Sequence, residues 1–263
     1  MTPLEYFDAS FRDDAWHLQL PTDIHGAFGG VTGGAWAAAS IALGRTVEPG
    51  RVAAGIDIHF LRALSTTQAK VQVTTLSSGR SLTILRVEFS DASEKPTTEA
   101  RVAFAAPEAL RTDIEATIHD GGLLGPPSAD LSDSAKPWRK PEGVEVPISD
   151  PARPRAARVG TSIATLVTIP WAATHDGSEG SCLAADISVG PPVDAAIPKG
   201  NWVPHPNPDL SLRFCGPVTG DNLVAVAICR EMSGGLASVE TEVWQEQSLV
   251  AKGISTSLLL AKS

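Results

Sequence analysis

The chain has 263 residues, enough for one large domain or two small ones, and 43% are hydrophobic, so a sizeable core can form. Only 19% are charged, which excludes wholesale disorder. The formal net charge is −9, and such a field repels phosphate backbones and argues against nucleic acid as a partner.

In chain order, the first stretch from Met1 to Trp16 carries Glu5, Asp8, Asp13 and Asp14, the wrong charge for a secretory leader. No apolar run reaches the roughly 18 residues that span a bilayer. A cytoplasmic protein without membrane insertion is expected. His25 to Arg45 is rich in Gly and Ala, and Val31 to Leu43 has no polar face. That pattern predicts a helix buried all round. Gly33 and Gly34 would each cost such a helix about 1 kcal/mol, so neighbouring backbone must approach closely there. From Gly55 the chain alternates as a β-meander: a strand ending at Phe60, a turn at Gly79 and a last strand through TTEARVAFAA. Pro107 to Arg155 holds eight of the twenty prolines together with Gly121-Gly122 and Pro126-Pro127, and reads as a long connection. Ser181 to Val193 predicts a second, shorter helix stopped by Pro191 and Pro192. A second meander follows from Asp209, with a strand ending at Phe214 and a turn at Gly234. Phe60 and Gly79 are 19 residues apart, and Phe214 and Gly234 are 20 apart, which predicts an internal duplication. The units are 1–106 and 156–263, with 107–155 between them. Cys182, Cys215 and Cys229 sit in apolar stretches without C-x-x-C spacing and are expected as reduced, buried thiols.

A helix followed by a meander that wraps it, twice over, is the tandem hot-dog arrangement, an α+β fold. AFGGVTGG (Ala27 to Gly34), DIHFLRALST (Asp57 to Thr66) and SGRSLTILRV (Ser78 to Val87) resemble the N-terminal half of bacterial acyl-CoA thioesterase II and its relatives. PDLSLRF (Pro208 to Phe214) and LVAKGISTSLLL (Leu249 to Leu260) resemble the C-terminal half. The resemblance implies acyl-CoA as substrate and thioester hydrolysis without a cofactor, a metal or a covalent intermediate. It also implies pairing of whole chains into a homodimer or larger. The family's catalytic group is an Asp, a Thr or Ser, and a Gln in the C-terminal half. By this resemblance the Asp falls on Asp209. The hydroxyl falls near Arg230 and Glu231, with Ser233 close by, and the Gln falls on Ser255. Where relatives often have Gln after FGG, this chain has Val31.

Thioester hydrolysis needs a positioned water, a carboxylate or base to orient it, and donors for the developing oxyanion. Asp209 supplies a carboxylate, and Ser255 and Ser233 supply hydroxyl donors. Gly29 and Gly30 open the first helix and let a carbonyl approach its N–H groups. His25, just before them, is placed to touch the thioester. CoA is an anion, so its phosphates need local cations against the global charge, and Arg62, Arg80 and Arg86 flank the strands. Asp57 and His59 share one strand face and form an alternative carboxylate-oriented base. Trp36 fits the core better than an acyl pocket. The histidines lack metal-ligand spacing, no dinucleotide or P-loop glycine pattern follows a strand, and no G-x-S-x-G segment is present. Two other functions compete. One is a protein that binds acyl-CoA or an acyl carrier without hydrolysing it. The other, hydratase chemistry, asks for a different motif from PNPDL (Pro206 to Leu210).

Overall fold

The structure is a computed structural model and describes residues 1–64, 66–111, 124–125, 127, 130–138 and 144–261. Most of the first part of the expected connection, 112–123 with Gly121 and Gly122, lies outside the described residues, as does Pro126. The chain opens with a helical turn, α1 (Pro3–Tyr6), and a hairpin of β1 (Ser10–Arg12) and β2 (Ala15–Gln19). Helix α2 (Gly33–Val47) precedes β3 (Val52–Phe60), β4 (Gln68–Ser78), β5 (Leu82–Ser90) and β6 (Pro96–Ala105). The connection carries α3 (Leu131–Ser134), β7 (Lys136–Pro137) and α4 (Ser149–Ala152). In the second half come β8 (Arg155–Val159), β9 (Ser162–Thr168), α5 (Ser178–Ile187), α6 (Gly190–Ala196), β10 (Asp209–Phe214), β11 (Asn222–Ser233), β12 (Leu236–Gln245) and β13 (Ser248–Leu258).

The thirteen strands form one antiparallel sheet in the order β1-β2-β4-β5-β6-β3-β10-β13-β12-β11-β9-β8-β7. Read outward from the β3–β10 junction, both halves run in the same order, so the duplication seen as turn spacing is a duplication of topology. At the junction Ser211 pairs with Asp57 and Asp209 with His59, so each half covers the other's edge strand. Each half wraps one principal helix, α2 or α5. This is the double hot-dog fold.

Helix α2 is buried from Gly34 to Arg45. It starts two residues later than its apolar run because Thr32 takes the N-cap and Val31 pairs with His25 as an isolated bridge. It continues past Leu43 because Arg45 is itself buried against partners on the other helix. Close helix approach accounts for the glycines. A Cβ on Gly34 would lie 2.7 Å from Leu183 Cα and 2.9 Å from the Cys182 carbonyl oxygen. The second helical region corrects the expectation of one helix stopped by prolines. The break falls at Ser188 and Val189, and Pro191 and Pro192 occupy the first turn of α6. A missing N–H is harmless there, so these prolines start a helix rather than end one.

The connection is seated at both ends of its described length. Leu131 packs with Ala164, Val226 and Trp244, and the Leu124 N–H donates to Glu242 Oε2 at 2.9 Å. Val146, Ile148 and Ala152 join the main core. Of the cysteines, Cys182 is buried as expected. Cys215 is exposed, because the residue after Phe214 leaves the sheet for a turn.

Candidate active site

Helices α2 and α5 pack antiparallel. The start of α2 meets the end of α5, and the end of α2 meets the start of α5, as the Gly34–Leu183 approach and the Arg45–Glu179 pair show. Beside the first of these two ends lies a cavity of about 330 Å³. Its wall comes from both halves: Thr32, Gly33 and Phe60 from one, Asp186 and Asn207 from the other. Trp138 and Ile148 of the connection complete it, and Phe28, exposed, stands at its mouth.

The polar centre of this cavity is Asp186, in the last turn of α5. The Asn207 side-chain N–H donates to Asp186 Oδ1 at 2.8 Å. Gly33 has no side chain for a plain reason: a Cβ there would lie 2.7 Å from that same oxygen. The carboxylate therefore sits against the first turn of α2, where backbone N–H groups lack intrahelical acceptors and the helix field favours an anion. Burial raises the Asp186 pKa above the usual Asp value, while the Asn207 amide and the Gly34 N–H hold it down. Thr32 adds a hydroxyl. It makes no capping bond to α2, and its Oγ1 is buried without a partner on the same wall. A held carboxylate, an amide, a helix start and a free hydroxyl thus converge on one apolar-walled space. A second polar group lines the cavity further along α6, formed by Asp194, Trp202 and His205.

Asp209 and Ser255 are brought together, but not on the cavity wall. The Thr256 N–H donates to Asp209 Oδ1 at 2.7 Å, and Ser255 Oγ donates to the Asp209 carbonyl at 2.7 Å. These bonds clasp β10 to β13 directly behind Pro208, which does line the cavity. Ser233 is exposed at the β11–β12 turn, opposite Leu236 and outside the wall. Gly30 lines the cavity, and a Cβ on it would come within 3.1 Å of Ala63 Cβ. Gly29 takes φ +75°, the left-handed region that a glycine enters without strain. The turn is closed by the Gly26 N–H donating to the Gly30 carbonyl at 2.8 Å. His25 is adjacent to the wall. Its carbonyl accepts from the Ile148 N–H at 3.0 Å, its Nε2 is buried without a partner, and burial lowers its pKa against the pull of Asp23.

Arg80 is not brought to the cavity. It follows Gly79, whose carbonyl accepts from Arg51, and Arg51 lies beyond the far end of α2. A helix of 15 residues separates the two places by about 20 Å. Arg62 lines the mouth and pairs with Asp91 at 2.9 Å. Arg86 pairs with Glu88 at 3.1 Å. Asp57 is engaged by Arg213 at 3.0 and 3.1 Å on the exposed sheet face and does not orient His59. Trp36 is both core and wall: it packs on Phe89 with ring centres 4.7 Å apart and borders the cavity. Among the described residues no group of His, Cys, Asp or Glu is arranged to hold a metal ion, and no helix is long and apolar enough to cross a membrane. The residues that sequence reading missed are Asp186 and Asn207. Asp186 did carry a signal, since it is the only charged residue between Ser181 and Val193, in a helix otherwise built from small and apolar side chains.

Residues 19–105 match the acyl-CoA thioesterase N-terminal domain family. Over its whole length the chain is similar in fold to a candidate thioesterase II from Thermobifida fusca, with TM-score 0.78, 14% identity, and 99% of this chain and 98% of that one covered. It is similar to a hot-dog-fold protein from Alicyclobacillus acidocaldarius, with TM-score 0.70, 17% identity, and 99% and 98% covered. It is also similar to acyl-CoA thioesterase II from Mycobacterium marinum, with TM-score 0.68, 16% identity, and 100% and 99% covered. No curated protein matches the sequence. The family match is confined to residues 19–105, and the chain as a whole has the tandem hot-dog fold of these solved structures.

Proposed function

We propose that the protein hydrolyses acyl-CoA thioesters in the cavity between its two halves, with Asp186 as the carboxylate that orients and deprotonates the attacking water. The observation that carries this is the Asp186–Asn207 pair, held against the open first turn of α2 inside an apolar-walled cavity. Water bound to Asp186 attacks the thioester carbon. The carbonyl oxygen, as it gains charge, is stabilised by the Gly33 N–H, which has no acceptor within α2, and by the Thr32 hydroxyl. The carbon–sulfur bond then breaks, and the proton taken by Asp186 goes to the CoA sulfur. The products are the free acid and CoA, so one water is consumed and nothing else. The raised pKa of Asp186 suits this role, because a base must be proton-hungry enough to accept from water during attack. Arg62 at the mouth supplies a cation for the anionic CoA.

The test is thiol release from a panel of acyl-CoAs by the purified protein. A second reading, binding of acyl-CoA without hydrolysis, is favoured by one observation. Ser255, which stands where the resemblance expects a Gln, spends its hydroxyl on the Asp209 carbonyl. Tight binding of acyl-CoA with no thiol released would select that reading.

A further inference from the structure

The repeat makes the outer faces of the two sheet halves comparable position by position. Ser211 pairs with Asp57 at the junction, so these two residues are equivalent. Two positions on, the second half has the row Arg213, Lys252 on β13 and Glu242 on β12. Lys252 and Glu242 are a cross-strand pair of opposite charge, with Nζ 3.2 Å from Oε1. The connection covers this place: Glu242 is fully buried and accepts the Leu124 N–H. In the first half the equivalent row is His59, Glu99 on β6 and Glu88 on β5. Here the cross-strand pair is two carboxylates. The adjacent row on the same face holds a second like-charged pair, Arg86 and Arg101. Glu99 and Arg101 alternate with the buried Ala100 and Val102, so they face away from α2. Like charges directly opposite each other on a sheet are destabilising. Relief within the chain is partial. Arg86 Nε lies 3.1 Å from Glu88 Oε2, and the two side chains remain 38% and 40% exposed. Asp57, opposite Arg101, is taken by Arg213. Among the described residues Arg101 and Glu99 have no hydrogen bond or ion pair from their side chains.

We propose that a second copy of the chain docks on this face, turned by a two-fold axis that crosses the strands between the arginine row and the glutamate row. The rows are about 7 Å apart, two residues along a strand. The rotation exchanges them. It sets Arg101 of one copy over Glu99 of the other and Arg86 over Glu88, and symmetry repeats both contacts. A two-fold running along the strands would stack arginine on arginine, so the pattern selects one orientation as well as one face. The like-charged pairs, unfavourable in one copy, are matched in two. Ile254, 49% exposed, continues the arginine row across the junction and adds apolar area to the same face. The second half does not pair this way, because its equivalent row is covered by the connection and already sets Lys252 against Glu242.

The experiment measures particle mass by light scattering at micromolar concentration. The parent should be at least twice the 27.4 kDa chain. Two charge-reversed variants are compared with it, Arg86→Glu with Arg101→Glu and Glu88→Arg with Glu99→Arg. Each should halve that mass and weaken self-association about a hundredfold or more. Mixed one to one, the two variants should restore it, because the glutamates of one then meet the arginines of the other. A misfolded variant does not restore it, so recovery separates docking from folding. The single reversals Arg101→Glu and Glu99→Arg repeat the test at the two side chains that have no bond to lose. A parent that stays at 27.4 kDa overturns the proposal. So does a parent mass that both reversals leave intact, which would place the interface on another face. Reversals that stay dissociated on mixing, in the double pair and in the single pair, overturn it too.

Discussion

Replacing Asp186 by Asn tests the site most directly, because the change preserves shape and removes charge. Asn keeps an oxygen for the Asn207 amide, now 2.8 Å from Oδ1, and fits the space left by Gly33. The cavity and the packing of α5 on α2 should survive. Two effects then follow, of opposite sign. Losing a general base costs about 10²- to 10⁴-fold in rate, which at about 1.36 kcal/mol per decade is about 2.7 to 5.4 kcal/mol of barrier. Stability should move the other way. The folded-state pKa of Asp186 is raised, so the folded protein holds that proton more tightly than the unfolded chain does. Stability from this group is greatest below the unfolded value and falls as pH rises through the window above it. At neutral pH the ionised, buried carboxylate is therefore a net burden, and Asp186→Asn should melt at or above the parent temperature. The advantage should shrink as pH falls toward the unfolded Asp value of 3.8. The assays are thiol release at saturating acyl-CoA and thermal melting at pH 7 and pH 4.5. Turnover within threefold of the parent would refute the assignment of Asp186, and a neutral-pH melting point several degrees lower would refute the electrostatic argument.

Asp209→Asn, in contrast, should change turnover by less than about threefold, because one of its oxygens accepts from the Thr256 N–H and the residue is off the cavity wall. Gly34→Ala should destabilise the fold by about 1–3 kcal/mol in denaturant titration, because its Cβ meets Leu183 and Cys182 backbone that cannot swing aside. Arg45→Met should cost about 3–5 kcal/mol at neutral pH, since it strands the buried Glu179. The loss should lessen as pH falls, because Glu179 already has a raised pKa and takes up a proton more readily without Arg45. Light scattering at micromolar concentration should report a particle at least twice the 27.4 kDa chain, given the exposed Leu61, Leu236 and Ile254.

The fold was legible because its signals are periodic and local. An all-round apolar Ala/Gly segment can only be a buried helix, and equal turn spacing around Phe60 and Phe214 repeats because the strands repeat. Boundaries slipped where one tertiary contact decided them: Arg45 extends α2 by finding Glu179, and Pro191 and Pro192 fall where α6 begins. The site was harder to read because it is assembled across the junction. Asp186 and Gly33 are 153 positions apart, and nothing in either segment announces the other. The resemblance puts Asp209 and Ser255 in one catalytic group; Ser255 does bond to the Asp209 carbonyl, but the bonds of both residues run along the sheet. A one-residue step along β10 separates Pro208, on the cavity wall, from Asp209, whose oxygens face β13.

The duplicated fold offers two equivalent places, one at each end of the α2–α5 pair, and their side chains explain why only one is a cavity. At the first end the α2 position facing α5 is Gly33, and the absent side chain leaves space around Asp186. At the other end the facing positions are long and charged. Arg45 Nε donates to Glu179 Oε1 at 2.8 Å and its NH2 group donates to Ser178 Oγ at 2.8 Å. Arg45 also pairs with Asp176, whose second oxygen accepts the Ala53 N–H at 2.9 Å. The guanidinium fills the end of the helix pair and ties it to β3. The neighbouring space, bounded by Trp171, Glu179 and Val218, has no room for a water. A carboxylate appears at both ends, but its partner decides its use. Glu179 is neutralised by a fixed cation and has become a structural tie. Asp186 is met by a neutral amide and a helix start, which hold its position without cancelling its charge. A site that must activate water needs the second arrangement, and a fold that must keep two helices in register is served by the first.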